Sequence, residues 1–171
     1  VIKKAMKDDP HFMNKVKDYL SDNKVESVVA LCDRSSSPIA NMVAKGALSK
    51  NGTSKEIQEA MERQGNLEIY KLEHNLASLA TIAGAAPMIG FLGTVIGMIL
   101  AFHEMASAGG QIDVEMLSKG IYTAMTTTVA GLIVGIVAYL AYNQLVVKVT
   151  KATFKMEQGT AEFLDVIAQS K

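Results

Sequence analysis

The chain has 171 residues, 17 basic and 17 acidic side chains and 49% apolar residues, which suits about one domain but is too apolar for an ordinary soluble one. A formal charge of zero argues against a nucleic-acid binder, which carries a basic surplus or stripe. One cysteine, Cys32, excludes an intrachain disulfide and, with three scattered histidines, leaves no CxxC-type zinc site; no metal, cofactor or catalytic group is expected.

The chain opens at Val1 rather than Met, and a further membrane span is expected upstream, with Lys3 and Lys4 flanking its inner side. Phe12, Val16, Tyr19 and Leu20 recur at helical spacing as far as Ser21–Lys24. Val25, Val28, Val29 and Cys32 form a second short stripe, closed by Ser35–Pro38. A third helix runs from Pro38 to Lys50, with proline suited to its first turn. Asn51–Gly52 breaks the chain, and Thr53 with Glu56 has capping-box spacing. Ile57, Met61, Ile69, Leu72 and Leu76 then predict one helix running into the next segment, with Gly65 its soft point. Such a helix of about 50 residues would reach roughly 75 Å.

Residues 76–103 and 120–147 each contain 28 positions without Lys, Arg, Asp or Glu. A bilayer core of roughly 30 Å needs about 20 apolar residues of helix, so each segment spans with some left over. The alternative, two buried core helices, seldom needs uncharged runs this long. The joint over 104–119 holds Glu104, Asp113 and Glu115 and one basic residue, Lys119, whereas twelve basic residues lie in 1–75 and four beyond 147. The positive-inside rule therefore assigns 1–75 and 148–171 to the cytoplasm and turns the short joint outward. The second span is expected to continue as a helix through Val149, Phe154, Met156, Phe163 and Val166 or Ile167. With no strand pattern in competition, the fold class is all-α: an integral membrane protein with long helices extending into the cytoplasm.

Gly90, Gly93 and Gly97 in the first span, and Gly131 and Gly135 in the second, form small faces that let membrane helices approach closely. Pro87 is expected to kink the first span. Thr94 and Thr128 lie 18 and 19 residues from the cytoplasmic ends of their spans, so on antiparallel helices their hydroxyls sit within about 1.5 Å of the same level. Two thin faces bearing hydroxyls at one level would line a passage or receive another helix. Thr123, Thr127 and Asn143 are secondary candidates for a polar lining. Two plainer readings stay open: the glycines serve assembly alone, and each threonine bonds its own backbone carbonyl. Neither span holds Asp, Glu or His inside it. A proton relay needs such a group, and a hydroxyl cannot supply one. If protons pass, a partner's acid must lie against these hydroxyls, or the segment expected upstream of Val1 must provide the group.

The run Ala86–Met98 (APMIGFLGTVIGM), Gly120–Ile121, Thr127–Val134 (TTVAGLIV) and Tyr142–Asn143 together resemble the MotA/TolQ/ExbB proton-channel family, most of all its ExbB/TolQ branch. The matching stretch is Leu76 to Asn143; the cytoplasmic arm is similar only in layout. The resemblance implies a three-span subunit of the bacterial inner membrane that forms a homo-oligomeric ring, typically a pentamer. The ring would surround the membrane helices of an ExbD- or TolR-like single-span partner, whose Asp faces Thr94 and Thr128. Proton flow would then drive rotation that energises outer-membrane transport through a TonB-like protein, or TolA in a TolQ-like case. Two departures stand out. Many ExbB proteins carry Glu at the position of Thr123, so that carboxylate's role does not transfer. The family's Ile-Pro before Tyr-Asn is Ile136–Val137 here, which implies a straighter second span. A flagellar-type stator and a purely structural scaffold are the competing readings. An intramembrane enzyme has no nucleophile–base pair to support it.

Overall fold

The computed structural model describes residues 11–22, 24–35, 37–107 and 114–169. They form six helices: α1 (Phe12–Ser21), α2 (Val25–Ser35), α3 (Pro38–Leu48), α4 (Ser54–Glu73), α5 (Leu76–Ser107) and α6 (Val114–Gln169). No strand occurs among the described residues, as an all-α chain requires. Of the joint expected over 104–119, residues 104–107 continue α5 and 114–119 begin α6; the rest, with Lys3, Lys4 and Lys171, lies outside the described residues. The helical pattern is interrupted at His74–Asn75, and His74 keeps helical angles (φ −47°, ψ −39°). The chain divides into two units, Val1–His74 with Val146–Lys171, and Asn75–Leu145.

In the first unit, local chemistry sets the helix starts. Ser37 caps α3, accepting from the Ala40 N–H at 3.2 Å, with Pro38 in the first turn. Thr53 caps α4 reciprocally. Its Oγ1 accepts from the Glu56 N–H at 3.3 Å, and Glu56 Oε2 accepts from the Thr53 N–H at 2.7 Å. Two otherwise orphaned donors are thereby satisfied. Those contacts, the backbone one first, hold the Glu56 carboxyl below its ordinary range.

The core joins α1, α2, α3, α4 and the C-terminal part of α6 through Val16, Leu20, Val28, Cys32, Val43, Ile57, Met61 and Phe163, all essentially inaccessible. Fully burying one such side chain contributes about 1.5–3 kcal/mol. On α6 the inward positions are Val149, Ala152, Met156, Gly159, Phe163, Val166 and Ile167, spaced by three and four. Phe154, expected in that stripe, is 66% exposed, because two residues turn a helix by about 200° from Met156.

The face of α4 holds the main correction to the sequence reading. Its buried positions are Ile57, Met61, Gly65, Glu68 and Leu72. Gly65 is also a packing position, since a Cβ there would lie 3.0 Å from Met42 Cε. Gly46 on α3 behaves alike: a Cβ would meet Phe163 Cε1 at 2.6 Å. Glu68 is 7% exposed. Its Oε1 accepts from Asn41 Nδ2 (3.1 Å), Gln64 Nε2 (3.0 Å) and Lys71 Nζ (2.9 Å), so a carboxylate inside the stripe ties α4 to α3. A buried charge is tolerated only when partnered in this way.

Four outcomes follow for the detergent-solubilised protein. Glu68→Leu leaves the Asn41 amide without this acceptor and should lower unfolding stability by about 1–3 kcal/mol, measured by circular dichroism. Lys71→Ala, removing a 59% exposed ammonium, should cost less than about 1 kcal/mol. Burial, with a smaller contribution from Asp33, pushes the Cys32 thiol up to about 12. A maleimide at pH 8 should therefore label Cys32 slowly in the native protein and rapidly after denaturation. The depressed Glu56 carboxyl stabilises the fold above its ordinary value of 4.5 and loses that contribution as pH falls through its folded value. The stability deficit of Glu56→Ala should be present at pH 7 and shrink below pH 4.5.

Candidate functional site

The second unit is built inside out. Its large apolar side chains face outward: Met88 is 72% exposed, Ile89 67%, Phe91 66% and Val137 63%. Apart from Leu76 at its edge, its buried positions are small: Gly90, Ala101, Ala124, Gly135 and Ala138. The most apolar windows of the two long helices have mean hydropathies of 2.0 and 1.9 with only 11% and 17% of residues buried. A soluble core helix would hide such a window. A helix facing hydrocarbon gains nothing by hiding large apolar groups and associates through close packing of small ones.

The seam between α5 and α6 is antiparallel and follows the glycines. A Cβ on Gly131 would lie 2.6 Å from the Ala86 carbonyl oxygen and 2.9 Å from Gly90 Cα. One on Gly97 would meet Ala124 Cβ at 2.6 Å, one on Gly135 would meet Pro87 Cγ at 2.5 Å, and one on Gly93 would strike Thr127 Oγ1. Real Cβ atoms do not approach so closely, so these positions hold backbones together at a distance that side chains forbid. Gly120 belongs to the same seam, with Ala101 Cβ 2.5 Å from the position of its missing Cβ. Sequence reasoning passed it over although it extends the spacing 120, 124, 128, 131, 135. Pro87 is continuous with α5, and its ring fills the hollow over Gly135.

The threonines divide between two uses. Thr128 Oγ1 donates across the seam to the Gly90 carbonyl at 2.9 Å. Thr127 Oγ1 donates to Ala124 of its own helix at 2.7 Å and approaches the same Gly90 oxygen at 3.3 Å. Gly90 has no side chain to block either hydroxyl. Thr94 Oγ1, by contrast, donates within α5 to Phe91 at 2.6 Å. The register set by Gly97 against Ala124 and Gly93 against Thr127 puts Thr94 level with Thr126–Thr127 and within a turn of Thr128. Thr94 and Thr128 are thus near in height but bonded to different carbonyls.

The secondary candidates are more dispersed. Thr123 Oγ1 donates to Lys119 at 2.9 Å and lines a cleft of about 630 Å³ with Glu104, Glu115, Lys119 and Gly120. Asn143 Nδ2 donates to Tyr139 of its own helix at 3.1 Å. Among the described residues no group of His, Cys, Asp and Glu side chains is arranged to hold a metal.

The profile of the MotA/TolQ/ExbB proton channel family matches residues 34–158, reaching well upstream of the Leu76–Asn143 stretch that carries the motif resemblance. A putative biopolymer transport protein ExbB homolog of Methanothermobacter thermautotrophicus is 30% identical over 120 residues, 70% of this chain and 42% of that protein. The Tol-Pal system protein TolQ of Haemophilus influenzae is 38% identical over 106 residues, 62% of this chain and 44% of that protein. The biopolymer transport protein ExbB of Helicobacter pylori is 39% identical over 83 residues, 48% of this chain and 54% of that protein. The chain spans about half the length of the curated relatives it matches. No solved structure matches it significantly. With both apolar helices, the glycine seam and the threonines inside the matched region, the chain belongs to the MotA/TolQ/ExbB proton channel family.

Proposed function

We propose that this chain is the ExbB-like subunit of a motor in the bacterial inner membrane, driven by the proton-motive force. On this reading, copies form a ring, typically a pentamer, around the membrane helices of an ExbD-like partner. Residues 1–75 and 148–171 lie in the cytoplasm, and the ring energises TonB-dependent outer-membrane transport.

The observation that carries the reading is the combination of hydroxyls with an absence of acids. Residues 82–100 and 123–138 offer threonine as their only hydrogen-bonding side chain. Protons do not cross hydrocarbon without a group that titrates, so these two spans need an acid from outside themselves, which this reading takes from the partner. Thr94 bonds only within its own helix, as Thr123 and Thr126 do, and it is the residue this reading sets against the partner's carboxyl. Thr128 supports that surface by pinning the Gly90 carbonyl. A TolQ-like role in a Tol-Pal system is the second reading. It is supported by the 38% identity over 106 residues to TolQ of Haemophilus influenzae, beside 30% over 120 residues to the ExbB homolog of Methanothermobacter thermautotrophicus.

The decisive experiment expresses the full-length protein with an ExbD-like single-span protein in a strain lacking ExbB and measures iron–siderophore uptake. Rescue is expected. Rescue only of a TolQ-deficient strain would transfer the assignment to the second reading, and rescue of motility would transfer it to a flagellar-type stator. Thr94→Val should cut energised uptake about fivefold or more, the equivalent of one hydrogen bond of about 1 kcal/mol, while the complex keeps its native mass. Gly131→Val should destroy both complex and uptake, because its new side chain runs into the Ala86 carbonyl. Full uptake with Thr94→Val would favour a scaffold.

A further inference from the structure

All six threonines of the two spans have already given away their hydrogen. Thr81 donates to Ala77 at 2.9 Å, Thr94 to Phe91 at 2.6 Å, Thr123 to Lys119 at 2.9 Å and Thr126 to Tyr122 at 2.8 Å. Thr127 donates to Ala124 at 2.7 Å and Thr128 to Gly90 at 2.9 Å. The direction of each bond follows from chemistry: a carbonyl oxygen has no hydrogen, so the hydroxyl must supply it. What each threonine still presents is lone pairs. Across 82–100 and 123–138 no other side chain carries an N–H or O–H, and the helix N–H groups are engaged in the backbone ladder.

We propose that Thr94 meets the partner's carboxylic acid as a hydrogen-bond acceptor only, so that the spans hold that acid in its protonated, neutral form and release it as an anion. This rests on the reading above that a partner acid faces the spans. The protonated acid brings its own hydrogen and bonds Thr94 Oγ1 with every existing bond intact. The carboxylate finds no free donor. To satisfy it, Thr94 must give up the Phe91 carbonyl, or Thr128 must unpin Gly90, with a charge buried in an apolar setting at the same time. Among the described residues, 82–100 of α5 and 123–138 of α6 hold no titratable side chain that could face Thr94. The nearest in sequence and register are Tyr122, Lys119, His103, Glu104 and Glu115 towards one end and Tyr139 towards the other. The acid's protonation is thereby coupled to its attachment: it binds after taking up a proton and detaches on losing it.

The sign of one shift tests this. In the assembled complex, carbodiimide labelling of the partner's carboxyl against pH gives the midpoint of its protonation. If Thr94 accepts, Thr94→Val removes a bond made only by the protonated acid, and the midpoint should fall by roughly 0.5–1 pH unit. Thr94→Ala should do the same, which covers failure of the valine variant to assemble, and Thr94→Ser should restore the parental midpoint. If the hydroxyl instead donates to the carboxylate, removing it raises the midpoint. A rise, or no change, overturns the proposal while leaving the motor assignment standing. Absence of any labelled partner acid in an intact, uptake-competent complex would overturn the assignment itself.

Discussion

The Gly90 carbonyl is where the second unit's construction converges. It accepts the Thr128 hydroxyl from the opposite helix, has the Thr127 hydroxyl beside it, and belongs to a residue whose missing side chain lets Gly131 come within backbone contact. In hydrocarbon, large apolar side chains give no advantage to helix–helix contact over helix–lipid contact. Cohesion must come from close backbone approach and hydrogen bonds. Glycine supplies the first and threonine the second, and each depends on the other: a side chain at position 90 would separate the helices and strand the hydroxyls.

That division of labour explains an apparent contradiction in the composition. Polar groups in the middle of a span invite a transport role, yet most of these hydroxyls are occupied in local bonding. Both statements hold because a hydroxyl has one hydrogen and two lone pairs. Giving the hydrogen to a backbone carbonyl satisfies the group enough to sit in an apolar environment, while its acceptor capacity stays open. The spans are therefore polar without being reactive. At mid-span the two helices of this channel-family chain contribute hydroxyls and no titrating side chain.

The first unit solves the opposite problem. It excludes water by burying Phe163, Leu20, Ile57 and Met61, and it admits one carboxylate, Glu68, into the buried face of α4 by surrounding its Oε1 with three donors. Glycines recur here too, but for a different reason. Gly46 and Gly65 make room for Phe163, Met61 and Met42 side chains rather than for another backbone. The same residue type thus serves aromatic and thioether packing in one unit and helix-to-helix contact in the other.

Much of this was readable in the amino-acid order because it depends on near neighbours. Two charge-free runs of spanning length, the Thr53–Glu56 capping box, proline opening α3 and the glycine spacing are local properties, and a helix displays them whatever surrounds it. Tertiary structure alone decided that Gly65 and Glu68 are buried, since that depends on Met42 and Asn41 being delivered by α3. It alone placed Phe154 outward and added Gly120 to the seam. It also separated two threonines that look equivalent in sequence, turning Thr128 across to Gly90 and Thr94 back onto Phe91. Which carbonyl a hydroxyl reaches depends on the register between two helices to a fraction of a turn, and no single helix contains that information.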